Sequence, residues 1–202
     1  MTGGWRFGVL QKGPTVSPGA PLVMKIGGSL LARPGWPEAV AGLLAATAGP
    51  RVLVVGGGPV VDGLRAIDAA APRPAGVMHW LAIEALGITA RLVAEATGLP
   101  LAETPEAREI VVLDVPRWLR IDPRLQEGWH VTSDSIAAVV AARAGGGLLL
   151  AKSEPPSGAD LWHLAAAGWV DAHFPEAAVA AGRITWAAWV SPTPPDRPAA
   201  GK

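Results

Sequence analysis

The stretch Leu22-Val23-Met24-Lys25-Ile26-Gly27-Gly28-Ser29-Leu30 constrains this chain more than any other. A short apolar run reads as a buried strand, and this one breaks into two glycines and a serine. The lysine lies on the strand, before the glycines, whereas a P-loop carries its lysine after them, on the following helix. Lys25 therefore sets an ammonium over a turn in which Gly27 and Gly28 have no side chains to keep an anion from the backbone N–H groups. The reading is a phosphate cradle with a built-in cation.

The same punctuation recurs along the chain. Arg51 to Val55 is a second strand and runs into Gly56-Gly57-Gly58-Pro59; Ile110 to Val115 is a third. Leu148 to Ala151 is a fourth with Lys152 at its far end, and Arg183 to Val190 alternates as a fifth, with Ile184, Trp186, Ala188 and Val190 on its better-buried side. Helical stripes fill the intervals. Pro37 opens one with Val40, Leu43, Leu44 and Thr47 on a face, and Pro59 opens another with Val60, Leu64 and Ile67. The longest, 76–97, places Leu81, Ala85, Ile88 and Leu92 together. A helix opened by Val131 to Ser135 buries Ile136, Val139 and Val140; Asp160 caps a short helix, and 174–181 gives another. Residues 116–130 read as an irregular excursion carrying Arg117, Arg120, Arg124 and two tryptophans. Such alternation predicts a three-layer αβα sandwich with a mainly parallel central sheet. Residues 1–20 are expected to form an N-terminal extension, 21–190 the domain, and 191–202 a mobile tail.

Composition narrows the class. The 202 residues suffice for one domain with a sizeable core, and half are hydrophobic. Seventeen basic residues balance seventeen acidic ones, so no basic footprint for nucleic acid is evident. No cysteine is present, which excludes disulfides and thiolate metal sites. No apolar run reaches a membrane span and the start does not read as a secretory signal. The expectation is a cytoplasmic protein with no membrane or nucleic-acid partner.

Ligands of open α/β sheets bind at the carboxyl ends of the strands. Lys25 with Gly27-Gly28-Ser29, the Gly56–Gly58 run, Asp134 and Lys152 all follow such ends. Each has an ordinary reading by itself: a strand-end lysine is usually surface, and Asp134 is an N-cap by type and place. Together they supply what phosphoryl transfer requires, which is positioning and positive charge around the moving group rather than a protein nucleophile.

This order of residues resembles the amino acid kinase family, whose members include acetylglutamate, aspartate, uridylate and isopentenyl phosphate kinases. The resemblance rests on Lys25-Ile26-Gly27-Gly28-Ser29, on Gly56-Gly57-Gly58-Pro59 and on Thr132-Ser133-Asp134-Ser135-Ile136-Ala137-Ala138. It implies ATP and Mg²⁺, with Lys25 on the transferred phosphoryl, Asp134 orienting the lysines and Lys152 on the nucleotide phosphates. Gly27, Gly28, Ser29, Lys152 and Ser153 then fall on the nucleotide side. Gly56, Gly57, Gly58, Asp62, Arg65, Trp129, Thr132 and Ser133 fall on the acceptor side, and no protein metal ligand is expected. The chain departs from the family after Lys152: Ser153-Glu154-Pro155-Pro156-Ser157-Gly158 stands where an Asp-Gly turn is common, which leaves nucleotide choice open.

A narrower resemblance is carried by Asp62 and Arg65, by His79-Trp80 with Ala82-Ile83, by Val131 to Ala138, and by Ala167-Gly168-Trp169-Val170-Asp171 with Phe174-Pro175. These are similar to the small kinases of methanofuran-type cofactor synthesis, which implies [5-(aminomethyl)furan-3-yl]methyl phosphate as acceptor. A carboxylate, a nucleoside monophosphate or an isoprenoid phosphate are alternative acceptors, and a non-catalytic ligand-binding protein of the same fold is the alternative class. Arg65 is the expected phosphate ligand, with Asp62 either positioning it by an i, i+3 contact or facing the substrate itself. Arg117, Arg120 and Arg124 are rivals, Glu84 is a candidate for the amine, and His79 is read as a packing residue. The long helix and the nine tryptophans suit a homo-oligomer.

Overall fold

The computed structural model describes residues 4–13, 16–121 and 125–190. Seven strands form one sheet: β1 (Gly4–Gln11), β2 (Leu22–Ile26), β3 (Arg51–Val55), β4 (Leu101–Ala102), β5 (Ile110–Leu113), β6 (Leu148–Lys152) and β7 (Ile184–Val190), in the spatial order β1-β7-β6-β2-β3-β5-β4. Every pairing is parallel except that of β1 with β7. The helices are α1 (Trp36–Ala45), α2 (Pro59–Ala70), α3 (Ala75–Thr97), α4 (Val115–Ile121), α5 (Ser133–Arg143), α6 (Leu161–Ala166) and α7 (Phe174–Ala177).

The sheet is apolar on both faces because both are covered. Val23, Val52, Val54, Leu148 and Leu150 pack beneath α5, α6 and α7 around Ile136, Val140, Leu164 and Phe174. Met24, Ile26, Leu53, Val55 and Leu149 point the other way, toward Val40 and Leu43 of α1 and Ala90 and Val93 of α3. This is the predicted three-layer αβα arrangement. The period of two along a strand places Lys25 in the row that begins with Val23, and Lys152 in the row of Leu148 and Leu150. Both lysines thus end α5-facing rows on neighbouring strands. From β2 the chain proceeds outward through β3 to β5, then returns to β6 on the other side. The crevice above β2 and β6 is therefore the topological switch point.

Several expectations fail locally. Gly4–Gln11 is an edge strand rather than an extension: its Trp5 indole N–H donates to the Ala39 carbonyl at 2.8 Å and its ring meets Trp189 at 5.3 Å between centroids. Residues 116–121, expected to be irregular, and Val115, expected to end the strand, form α4, which buries Val115, Trp118 and Leu119, and β5 stops at Leu113. On α2 only Val61 is buried, with Val60 and Ile67 exposed. On α3 the large buried apolar side chains are Met78, Ile83, Leu86 and Val93; of the expected face only Ala85 is buried, while Leu81, Ile88 and Leu92 are 45%, 56% and 47% exposed. Alanine and glycine space the large residues of α3 so that apolar groups occur on nearly every side, and periodicity could not choose among them. Nor does β7 have one better-buried side, since Ala187 of the opposite row is as buried as Ile184. The expected tail, 191–202, lies outside the described residues.

Candidate active site

A cavity of ≈ 430 Å³ opens above the carboxyl ends of β2, β3 and β6. Its walls contain Lys25, Gly27, Gly28, Ser29, Gly56, Gly57 and Gly58, then Asp62, Arg65 and Trp129, then Thr132, Ser133, Lys152 and Ser153. The fold thus brings both lysines, the glycine turns and the expected nucleotide-side and acceptor-side residues to one place, while Asp134 lies behind the wall, buried against both lysines.

Asp134 enters the first turn of α5, where Thr132 is the N-cap and its hydroxyl accepts from the Asp134 N–H. The carboxylate divides its oxygens. Oδ2 accepts from the Lys152 ammonium at 2.9 Å, and Oδ1 lies 2.9 Å from the Lys25 ammonium in ion-pair contact without hydrogen-bond alignment. Burial pushes the Asp134 carboxyl up, but the charges of Lys152 and Lys25 outweigh it and hold the group below the usual carboxylate range. Burial brings Lys152 down to about 8, helped by the Lys25 charge and opposed by Asp134. Lys152 also donates to the Trp169 carbonyl and sits 4.8 Å from the centre of that ring. One carboxylate therefore holds two ammonium groups side by side beneath an open cavity.

The glycines do something the sequence reading did not anticipate. A Cβ on Gly28 would stand 2.1 Å from the Gly58 nitrogen, and one on Gly58, at φ +50°, would stand 2.3 Å from the Gly28 oxygen. The two turns pack backbone to backbone, and the missing side chains are needed for that contact as well as for any anion. Gly58 precedes the N-terminus of α2, where Pro59 leaves one fewer N–H unsatisfied.

The acceptor-side expectations divide. Arg65 pairs with Asp62 at 2.7 Å and lies 5.4 Å from the centre of the Trp129 ring, whose N–H is fixed to Asp68 at 2.8 Å. Glu84 is outside the cavity, bound to Arg120 at 2.7 Å, so neither residue reaches an acceptor. Arg117 is paired with Glu103 and Asp114, also outside it. Arg124 lies outside the described residues.

Asp171 is the residue that sequence reasoning missed as part of the site. Its Oδ2 accepts from the Thr132 N–H at 3.0 Å, the Thr132 hydroxyl at 2.8 Å and the Ser135 N–H at 3.0 Å, while Oδ1 accepts from the Ser135 hydroxyl. A carboxylate from the segment after α6 thus neutralises the positive end of α5 and fixes the turn that carries Asp134. No local pattern marks such a residue, because its partners lie 36 to 39 positions away.

Residues 20–106 match the amino acid kinase family. The matched segment carries Lys25, both glycine turns, Asp62, Arg65 and His79; Asp134, Lys152 and Asp171 lie beyond it. The uridylate kinase from Archaeoglobus fulgidus shares the fold at a TM-score of 0.57 and 14% identity, over 84% of this chain and 91% of that one. UMP kinase from Ureaplasma parvum does so at 0.50 and 13%, over 71% and 70%. No curated protein sequence matches the chain. The similarity to known proteins therefore lies in the architecture and in residues 20–106.

Among the described residues no three His, Cys, Asp or Glu side chains gather as a metal site. Of the turn N–H groups, those of Gly27 and Gly56 already donate to the Ala151 and Ile26 carbonyls at 2.8 Å each, so the cationic donors at the cavity are the Lys25 and Lys152 ammonium groups and the Arg65 guanidinium, which suit phosphate oxygens and not a bare cation.

Proposed function

We propose that this chain is an ATP-dependent small-molecule kinase, and that its acceptor is [5-(aminomethyl)furan-3-yl]methyl phosphate, converted to the diphosphate. The observation that carries the kinase reading is the pair of ammonium groups held by the two oxygens of Asp134 at the switch point, beside the abutting glycine turns. An acceptor phosphate oxygen attacks the γ-phosphorus of ATP; the new P–O bond forms as the bond to the β-phosphate oxygen breaks, and ADP leaves. Lys25 and the turn N–H groups other than those of Gly27 and Gly56 meet the charge on the transferred group, and Lys152 meets the nucleotide phosphates. Mg²⁺ enters with the nucleotide, as a counterion to its phosphates. The acceptor oxygen is already an anion, so no protein base is required. The phosphate acceptor is supported by Arg65 at the cavity edge, and the flat ring by Trp129 with the apolar side chains of Ile83, Leu86 and Ile136.

Incubation with γ-labelled ATP tests the reading. The furan phosphate, UMP, isopentenyl phosphate and acetylglutamate serve as candidate acceptors. Label is expected in the furan diphosphate, and Lys25→Ala is expected to lower turnover about a hundredfold or more. Near-normal turnover in that variant refutes the assignment. A second reading, a ligand-binding protein without turnover, is favoured by the loop after Lys152, which lacks the Asp-Gly turn and leaves the Lys152 ammonium bonded to the Trp169 carbonyl. Calorimetry with Mg-ATP separates the two: tight binding without transfer to any acceptor supports the second.

We also propose a homo-oligomer. The outward row of Leu81, Ile88 and Leu92 on α3 is flanked by Glu84 and Arg91, so an antiparallel second copy would bring opposite charges near one another across a shared apolar seam.

A further inference from the structure

His79 has an unassigned polar atom. The residue is 4% exposed, yet it lines the cavity from α3. Its Nδ1 lies 3.3 Å from the Gly128 carbonyl oxygen. A carbonyl can only accept, so Nδ1 carries the hydrogen of the neutral ring and Nε2 keeps a lone pair. Among the described residues no other hydrogen bond or ion pair involves the ring, and Nε2 is not among the enclosed side-chain atoms that lack a partner. It therefore opens to the cavity. Its neighbours along the wall, Ala82, Ile83, Leu86 and Ile136, offer nothing polar from their side chains. Trp80 meets the imidazole edge-on with centroids 6.1 Å apart, and Gly128 immediately precedes Trp129, so the carbonyl that fixes the tautomer belongs to the segment that presents the indole to the cavity.

The cavity's carboxylates are Asp62, which is paired with Arg65, and Glu154; a hydrogen-bond acceptor set among apolar side chains is a separate demand on the ligand. A buried polar atom left unpaired costs free energy, so such a site rejects an isostere that lacks the matching donor far more strongly than an apolar pocket rejects a change in size. We propose that Nε2 of His79 accepts a hydrogen bond from the amine of the acceptor substrate and so selects an amine-bearing acceptor over its alkyl isostere. This rests on the kinase reading with a phosphate acceptor given above; it adds the atom that reads the far end of that acceptor. It also changes the role of His79, expected from the sequence to be a packing residue.

The test compares two probes by calorimetry in the presence of a non-hydrolysable ATP analogue and Mg²⁺: [5-(aminomethyl)furan-3-yl]methyl phosphate and [5-ethylfuran-3-yl]methyl phosphate, which replaces the amine by a methyl group. The wild-type protein is expected to prefer the amine by about tenfold or more. In His79→Asn the side-chain amide can still donate toward Gly128 but places no acceptor at the Nε2 position, so the preference is expected to collapse to about unity with the ethyl compound binding as before. His79→Gln, which can return an amide oxygen to that position, is expected to recover part of it. A purely structural His79 would lower stability in both variants without changing the ratio. Equal binding of the two probes by the wild type, or an undiminished preference in His79→Asn, overturns the proposal; the first needs no variant to fold. Binding of the ATP analogue with neither furan bound removes the acceptor assignment and this inference together. Absence of binding by both nucleotide and furans removes the kinase reading itself.

Discussion

Asp134 holds Lys25 and Lys152 at the same 2.9 Å, one on each carboxylate oxygen, although the lysines come from strands more than a hundred residues apart in sequence. Removing its charge leaves two buried ammonium groups facing each other. Asp134→Asn is therefore expected to lower stability by about 3–5 kcal/mol, the usual result of breaking a buried ion pair from one side. It is also expected to lower turnover by about two orders of magnitude or more. Urea unfolding together with turnover at saturating substrate checks both. A variant as stable and active as the wild type would show that the lysines need no carboxylate between them.

Lys152 gives the site a dependence on pH. Burial brings it down to about 8, so in the free protein its charge is present below that pH and lost as pH rises through it. The kcat/KM for Mg-ATP is expected to fall above about 8, while kcat, measured with phosphates beside the ammonium, falls at higher pH. Lys152→Arg keeps its charge across the range and is expected to abolish the alkaline fall even where its activity is reduced. Stability follows the opposite sign. Unfolded lysine holds its proton to about 10.5 and the folded residue releases it near 8, so between these values the unfolded chain binds more protons and stability rises with pH.

Asp171 touches neither lysine but accepts from Thr132 and Ser135 on either side of Asp134. Asp171→Asn is expected to lower stability by about 1–3 kcal/mol, since it removes charge-assisted hydrogen bonds at a helix terminus. It is also expected to reduce kcat more than the affinity for Mg-ATP, because the lysine pair is tilted rather than lost. Asp171→Glu, with the charge restored on a longer stem, is expected to recover part of kcat. A uniform loss of stability with unchanged kcat would assign Asp171 to folding alone.

The apolar row on α3 predicts an assembly. Ile88→Glu places a charge at the centre of Leu81, Ile88 and Leu92, away from both the cavity and the core of the chain. Sedimentation is expected to show a dimer or larger species for the wild type and a shift to monomer for the variant, with its unfolding midpoint little changed once monomeric. A monomeric wild type at micromolar concentration removes the seam.

The sequence by itself determined the layered fold and most of the cavity. Short apolar runs ending in Gly27-Gly28-Ser29 and Gly56-Gly57-Gly58, separated by helical stripes, dictate a parallel sheet whose strand ends collect the special residues. The rule of two along a strand and the position of α5 then bring Lys25, Lys152 and Asp134 together. These signals are local, so they survive in one dimension. The tertiary structure decided what depends on a choice between equivalent faces or distant partners. Gly4–Gln11 lacks a strong pattern and becomes a strand only because β7 offers an edge. Apolar groups lie nearly all round α3, so packing alone determined that Ile83 and Leu86 turn inward and Ile88 outward. That rotation carries His79 to the cavity wall and Glu84 away from it. Asp171 and the mutual contact of Gly28 with Gly58 are likewise invisible until the chain closes on itself, because a hydrogen bond or a steric limit between distant residues has no period to announce it.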